Sequence, residues 1–536
     1  MLKLKIVVSL LPLSICTLVS VSICSELVIP PTLKFGVATS SYQIEGAWNV
    51  SDKGRHIWDN FVRERRVDDG STGDVACDSY HLWERDIDMM TELGVDFYRF
   101  SISWPRILPT GFTNKISEDG KRYYNQLIDG LLAKGIEPMI TIYHWEMPQR
   151  LQDLGGWANP LISDWFADYA RVVFTLFGDR VKTWVTINEP IAICEGSYSL
   201  GLLAPGLKSL QHIGTYLCNK HVLLSHAKAW RIYDKEFRSM YKGEISLSNN
   251  LFWYEEKSPE YAELAELARQ INAGRYSHPI YSKEGGWPPS IEKIIAENSA
   301  KQGYHQSRLP AFTEEEKKLV RGTFDFYGVN FYTSRLVSPK EPELCFGFPL
   351  AGSDELGAEF TNDNSWPVAC NGWLSVYHEG LRKKLIWLKQ QYGEMKFLIT
   401  ENGFPTCPVD ELALDDDERV DFYKENLKHV VKSITEDGVN IAAYTAWSLM
   451  DNFEWIDGYT TKFGLYAVNF TDPERTRMPR KSALFFTKLI KTRKLIYDEN
   501  IKVELYWLYY FIGVLTNPEH EIYMIHFKFV ILFHEI

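Results

Sequence analysis

Eight short runs of β-forming residues recur along the chain, each followed by a stretch long enough for an amphipathic helix, and few folds accommodate that alternation. The runs are 35–38, 97–102, 139–143, 181–187, 244–248, 326–331, 397–400 and 441–447, and the segments 86–92, 121–134, 162–177 and 415–435 carry helical spacing of apolar residues. Eight strand–helix units predict an α/β protein built as a single (β/α)8 TIM barrel with long βα loops. A doubly wound open sheet is the competing arrangement, but the chain has neither a GxGxxG fingerprint nor a GxxxxGK[ST] loop. The longest irregular stretch, 339–372, is rich in Pro, Gly and Asn and is expected as a loop over the mouth of the barrel. The run Asp415-Asp416-Asp417-Glu418 lacks the alternating ligand spacing of a calcium loop and reads as a solvated acidic helix start.

Lys3 and Lys5, an apolar stretch over 6–23 and small residues around Ser22, Cys24 and Ser25 have the form of a signal peptide over 1–24. The barrel is expected over 25–496, and 497–536 remains as an apolar tail to which the sequence gives no role. Its run 505–515 is shorter than the about 20 residues a membrane helix needs, so no stable span is expected once the signal is removed. Asn49-Val50-Ser51 and Asn469-Phe470-Thr471 are glycosylation sequons, which fits a secreted protein. The six cysteines beyond the signal, Cys77, Cys194, Cys218, Cys345, Cys370 and Cys407, could pair in an oxidising compartment, in connectivities that spacing does not choose among. None is spaced CxxC, so no metal is assigned. With 58 Lys+Arg against 70 Asp+Glu the net charge is −12, which repels phosphate backbones and argues against a nucleic-acid partner.

In a barrel of this kind the site is assembled from the residues that close each strand. Strand one runs into Gln43, strand two carries Arg99, strand three ends in His144 and strand four in Asn188-Glu189-Pro190. Strand six holds Asn330 and Tyr332, strand seven ends in Glu401-Asn402-Gly403, and strand eight ends in Trp447 ahead of Glu454 and Trp455. Glu189 and Glu401 lie 212 residues apart in sequence, yet both close barrel strands and would meet at one mouth. Glycosidic cleavage requires such a pair, an acid for the leaving oxygen and a carboxylate for the developing oxocarbenium ion.

Thr186-Ile187-Asn188-Glu189-Pro190 and Ile399-Thr400-Glu401-Asn402-Gly403 resemble the two catalytic motifs of glycoside hydrolase family 1. The resemblance extends through 35–46, 99–106 and 447–455, covers about 33–495, and is greatest to secreted animal, particularly insect, β-glucosidases. It implies a retaining hydrolysis of terminal non-reducing β-D-glucosyl residues, with β-galactosides and β-fucosides as further candidates, acting on a small glycoside or an oligosaccharide without a cofactor. By the same resemblance Glu401 is the nucleophile and Glu189 the general acid/base, with Arg99, Tyr332 and Asn330 supporting the nucleophile. Gln43, His144, Asn188, Trp447, Glu454 and Trp455 are the residues expected to hold the sugar, and a Glu454 carboxylate is expected to repel a 6-phosphate. Two other readings stand beside it: a thioglucosidase, and a catalytically silent sugar-binding member of the fold.

Overall fold

The computed structural model describes residues 13–208, 212–250, 252–340, 351–407, 412–509 and 527–533, with backbone alone at 13–24, 351, 498–509 and 527–533. Two compact units result, one of residues 29–493 and one of the described residues within 1–28 and 494–536.

The larger unit is a closed barrel of eight strands in chain order: β1 (Lys34–Ala38), β2 (Phe97–Ser101), β3 (Glu137–Tyr143), β4 (Thr183–Asn188), β5 (Glu244–Asn250), β6 (Tyr327–Asn330), β7 (Phe397–Asn402) and β8 (Ile441–Trp447). Every neighbouring pair is parallel, and β8 closes on β1 from Ala443↔Lys34 to Trp447↔Ala38. Parallel strands covered on both faces must be apolar almost throughout, and β2, β6 and β7 are buried at every residue. All eight expected runs are present, shifted by a few residues at their ends. The helix expected over 162–177 is Ile162–Phe177, and its buried Phe166, Tyr169, Ala170, Val173, Phe174 and Phe177 follow the three-and-four spacing that turns one stripe inward.

One end of the barrel is filled. Phe97, Met139, Val185, Leu398 and Ala443, from five strands, and Phe326, just before β6, pack into one buried cluster. Phe97 takes so much of this space that a Cβ on Gly36 of β1 would lie 2.3 Å from its ring, so the strand beside it carries hydrogen at that position. With the floor plugged by apolar side chains, polar groups gather at the opposite ends of the strands.

Two expectations change on contact with the structure. Of the stretch 339–372, residues 341–350 lie outside the described residues, and much of the rest is ordered: Ala351–Leu356 is helical, and Ala358–Thr361 pairs antiparallel with Ser334–Pro339, which pairs with Trp253–Glu256. Turn-forming composition concealed a small sheet whose pairing is long-range. The acidic run is not uniformly solvated either. Asp416 is 3% exposed, pairs with Arg419 at 2.7 Å and accepts from the Ser482 amide and hydroxyl, while Asp415 and Asp417 meet the exposed Lys481. A buried carboxylate needs such partners, and one of them, Ser482, comes from elsewhere in the chain.

The smaller unit holds a three-stranded antiparallel sheet in which Lys494–Tyr509 lies between Leu13–Val28 and Phe527–Phe533. Residues 1–12 of the expected signal, and 510–526 and 534–536 of the tail, lie outside the described residues.

The barrel floor gives a stability prediction. Phe97→Ala should cost about 3–5 kcal/mol through the cavity it leaves, read as a lower urea midpoint at unchanged slope.

Candidate active site

The residues that close β4 and β7 bring two carboxyls to one cavity of about 230 Å³ at the open end of the barrel. Glu189 follows β4 in a left-handed conformation, φ 50°, with its amide bonded to the Ser248 carbonyl of β5 at 2.8 Å. Such a backbone costs of order 1 kcal/mol in a residue with a Cβ and persists only where its surroundings hold it. Trp145 after β3 and Trp455 after β8 are left-handed too, at φ 75° and 50°. Glu401 is the penultimate residue of β7 and stands opposite Asn330 of β6 in register. Both carboxyls are buried, at 5% and 3% exposure.

Their partners differ in charge. Arg99, 1% exposed on β2, donates through Nη1 to Glu401 Oε1 at 2.6 Å and to the Thr400 carbonyl at 2.9 Å. Its Nη2 reaches Asn188 Oδ1 at 2.6 Å and its Nε reaches Thr141 Oγ1 at 3.1 Å. The Tyr332 hydroxyl donates to Glu401 Oε2 at 2.7 Å. Glu189 receives only amides, from Asn330 Nδ2 at 2.7 Å and Asn250 Nδ2 at 3.2 Å. Asn330, assigned by resemblance to the support of Glu401, thus bonds directly to Glu189, and its Oδ1 is fixed by the hydroxyls of Thr400 and Ser248 at 2.7 and 2.8 Å.

Burial, and then the negative charge of Glu401, pushes the Glu189 carboxyl up to about 8. Burial raises Glu401 as well, but there the Arg99 guanidinium and the Tyr332 hydroxyl oppose it. A single negative charge shared by this pair therefore finds its compensation at Glu401, and Glu189 keeps a proton.

Around the pair stand the residues expected to hold a sugar. Asn188 Nδ2 lies 3.0 Å from His144 Nε2, and the imidazole is kept neutral by burial and by the nearby Arg99. The His144 ring is roughly parallel to Trp447 and Trp455, at 5.9 and 6.1 Å between centroids, and its Nδ1 has no partner among the described residues. His144, Asn188, Trp447, Glu454 and Trp455 all line the cavity, whereas Gln43 is fully buried behind it, donating to Asn452 Oδ1, the Phe453 carbonyl and Glu454 Oε2. Burial, followed by Asp457, Glu401 and Glu189, raises Glu454 well above the usual carboxylate range. That surrounding works against the standing negative charge expected of Glu454, and so weakens charge repulsion as a reason to refuse a phosphorylated sugar.

Several cavity residues escaped sequence reading. Asn250 lies at the end of β5, two residues beyond the expected strand end, and β5 was the one strand given no functional residue; its polar Asn249-Asn250 close was the available signal. Trp145 was visible beside His144, and its Nε1 donates to the Asn188 carbonyl at 3.0 Å. Leu203, Phe252, Tyr254, Ala273, Trp373 and Phe463 make a largely apolar wall, and no local motif marks them because they come from several of the long connections between barrel strands. In that wall Arg335 is 8% exposed, and it donates to Thr333 Oγ1 and the carbonyls of Ser334 and Trp373, without an ion-pair partner among the described residues.

The arrangement thus offers one charge-compensated carboxylate and one protonated carboxyl on a shared cavity, with polar and aromatic groups on one part of its surface and apolar groups on another. No group of three or more His, Cys, Asp or Glu among the described residues is arranged to hold a metal ion.

A model of Glycosyl hydrolase family 1 matches residues 26–495. Myrosinase 1 of Brevicoryne brassicae is 44% identical over 471 residues, spanning 87% of this chain and 99% of that protein. The cytosolic beta-glucosidase of Cavia porcellus is 41% identical over 471 residues, 87% and 98% of the two chains. Among solved structures, aphid myrosinase superposes with a TM-score of 0.82 at 42% identity, covering 87% of this chain and 100% of that one. A beta-glucosidase of the fungus Humicola insolens in complex with glucose does so with a TM-score of 0.80 at 34% identity, covering 87% and 98%.

The Arg99–Glu401 pair can be tested without reference to activity. Arg99→Met should destabilise the fold by about 3–5 kcal/mol by leaving a buried carboxylate uncompensated, and Glu401→Gln in the same chain should recover much of that loss. Thermal unfolding of the wild type, both single variants and the double variant measures it; additive costs would show the two groups to be uncoupled.

Proposed function

This chain belongs to glycosyl hydrolase family 1 and is a retaining β-glycosidase, and we propose that it hydrolyses terminal β-D-glucosides with Glu401 as nucleophile and Glu189 as acid and then base. The observation that carries the assignment is the unequal surroundings of the two carboxyls: guanidinium and phenol on Glu401, amides alone on Glu189.

In the first half-reaction a Glu401 oxygen bonds to the anomeric carbon as the bond to the leaving oxygen breaks, and the proton of Glu189 passes to that oxygen. Forming the ester removes the negative charge that held Glu189 protonated. Glu189 then takes a proton from water, whose oxygen attacks the anomeric carbon and returns the Glu401 carboxylate. Asn188, held between Arg99 and His144, suits the 2-hydroxyl, where hydrogen bonds tighten in the transition state. His144, Trp447, Glu454 and Trp455 complete the proposed sugar subsite, with Gln43 behind them donating to Glu454.

A second reading, thioglucosidase activity, is favoured by one feature: Arg335 is the single cation among the cavity's described lining residues and sits in an otherwise apolar wall. The leaving group of a glucosinolate carries an anionic sulfate that this guanidinium could meet. The myrosinase similarity points the same way.

Secretion is part of the proposal, supported by the disulfides Cys194–Cys218 and Cys370–Cys407. Residues 1–24 would then be removed, leaving 25–496 as the catalytic part. No helix among the described residues is long and apolar enough to cross a membrane.

Three outcomes are expected with purified protein, aryl β-glucosides and a glucosinolate. Glu401→Ala abolishes turnover, and the defect of Glu189→Ala shrinks as the leaving group improves, because a good leaving group needs no proton. With a poor leaving group kcat/KM falls as pH rises through about 8, where Glu189 loses its proton; a basic limb unchanged in Glu189→Gln would reject the assignment. Arg335→Gln lowers kcat/KM for a glucosinolate by about tenfold while sparing a neutral glucoside of matched leaving group, as loss of a charge-assisted hydrogen bond requires; equal effects on both would remove the thioglucosidase reading.

A further inference from the structure

Each proposed catalytic glutamate is followed within a few residues by a cysteine: Cys194 stands five residues after Glu189, and Cys407 six after Glu401. Both are paired. Cys194 bonds to Cys218 of the helix Ile213–Ile232, and Cys407 to Cys370, with Cα atoms 5.4 and 5.9 Å apart.

The first bridge enters the apolar wall. Cys194 lies in the turn Ala192–Ser197, whose Ala192, Glu195 and Gly196 line the cavity. Glu195, 1% exposed, accepts from Arg275 Nη2 at 2.5 Å, and Arg275 Nη1 donates to Asn219 Oδ1 at 2.6 Å. Neighbouring residues 194 and 195 are thereby tied to neighbouring residues 218 and 219, once by a covalent bond and once through a buried guanidinium. Arg275 also follows the turn Gln270–Gly274, whose Asn272 and Ala273 line the same cavity, and its Nε donates to the Ile271 carbonyl. Two wall segments are therefore fixed to one outer helix.

The second bridge enters the wall from the other catalytic strand. Cys370 precedes the cavity residue Trp373, whose carbonyl accepts from Arg335. Cys407 follows Thr406, which exchanges two backbone hydrogen bonds of 2.9 Å with Lys462, the neighbour of the cavity residue Phe463. Trp373, Arg335 and Phe463 are thus connected through the Cys370–Cys407 bridge to the chain leaving Glu401.

A disulfide that only constrains the unfolded chain could lie anywhere in the fold. Here both bridges join segments that carry residues of the wall that would touch the leaving group. We propose that Cys194–Cys218 and Cys370–Cys407 are positioning elements for leaving-group specificity, holding the aglycone wall in register with the two glutamates; this rests on the β-glycosidase reading above.

The test compares full-length wild type with Cys194→Val/Cys218→Ala and with Cys370→Ser/Cys407→Ser. The substrates are β-glucosyl fluoride, whose one-atom leaving group cannot reach the wall, and two aryl β-glucosides of matched phenol acidity, one compact and one extended by an apolar group. Opening either bridge should raise KM for the extended glucoside and cut its advantage over the compact one by about tenfold, leaving turnover of the fluoride within about twofold. Because Cys370 is exposed whereas Cys194 and Cys218 are buried, dithiothreitol should open the second bridge in the native protein: two electrons pass to the disulfide, two thiols form, and the reagent closes to its own disulfide. That treatment should reproduce the effect without a mutation and reverse on reoxidation.

An unmoved ratio with the bridges open, or a parallel fall for fluoride and aryl substrates, would overturn the proposal. If wild type turned over no glucoside, the activity reading would fail, and hydrogen exchange would still decide the clamp: deprotection confined to 192–207 and 366–373 supports it, and unchanged protection rejects it.

Discussion

A guanidinium with no access to water sits at the centre of this barrel, and what surrounds Arg99 follows from the cost of burying its charge. An isolated ion of that size would be expensive to desolvate, so it must face a carboxylate and have its remaining protons taken up by oxygens. The contacts with Glu401, Thr400, Asn188 and Thr141 do both, and they draw on β2, β3, β4 and β7 at once. The ion pair orients Glu401 and holds Asn188, and after burial the Arg99 charge also lowers the basicity of His144. Glu189, which takes no hydrogen bond from the cation and sits beside the charge of Glu401, is left as the group that keeps its proton. One buried charge thus divides two chemically identical side chains into different roles.

The other cost is conformational. Trp145 and Glu189, just past the ends of β3 and β4, and Trp455, in the segment after β8, adopt left-handed backbone, where a glycine would fit without strain. None could be glycine without losing a side chain that lines the cavity. The closed barrel beneath them, with its packed floor, supplies the rigidity that holds such conformations.

Strands and helices were legible because a parallel barrel repeats a local pattern: apolar runs where both faces are covered, and a stripe of three-and-four spacing on each helix. The site residues carried by strand ends were legible for the same reason, since the end of a run is itself a local feature. Asn250 was missed when β5 was read two residues short. Arg335, Phe252 and Trp373 were not legible, because their meeting depends on how long loops fold back, and a guanidinium without a carboxylate is visible only once its neighbours are known. The small sheet formed by 253–256, 334–339 and 358–361 was hidden likewise, and so was the burial of Asp416, whose partner Ser482 is distant in sequence.

The apolar plug of Phe97, Met139, Val185, Phe326, Leu398 and Ala443 shuts the barrel at one end, and this turns the site into a blind alley with traffic through a single entrance. A sugar seated at the bottom is screened by the group still attached to it, so the leaving group must depart before water can enter, and the sugar must depart last. Free sugar left in the pocket therefore competes directly with the next substrate. A chain cannot thread through such a site, so only the exposed tip of a glycoside reaches the two carboxyls.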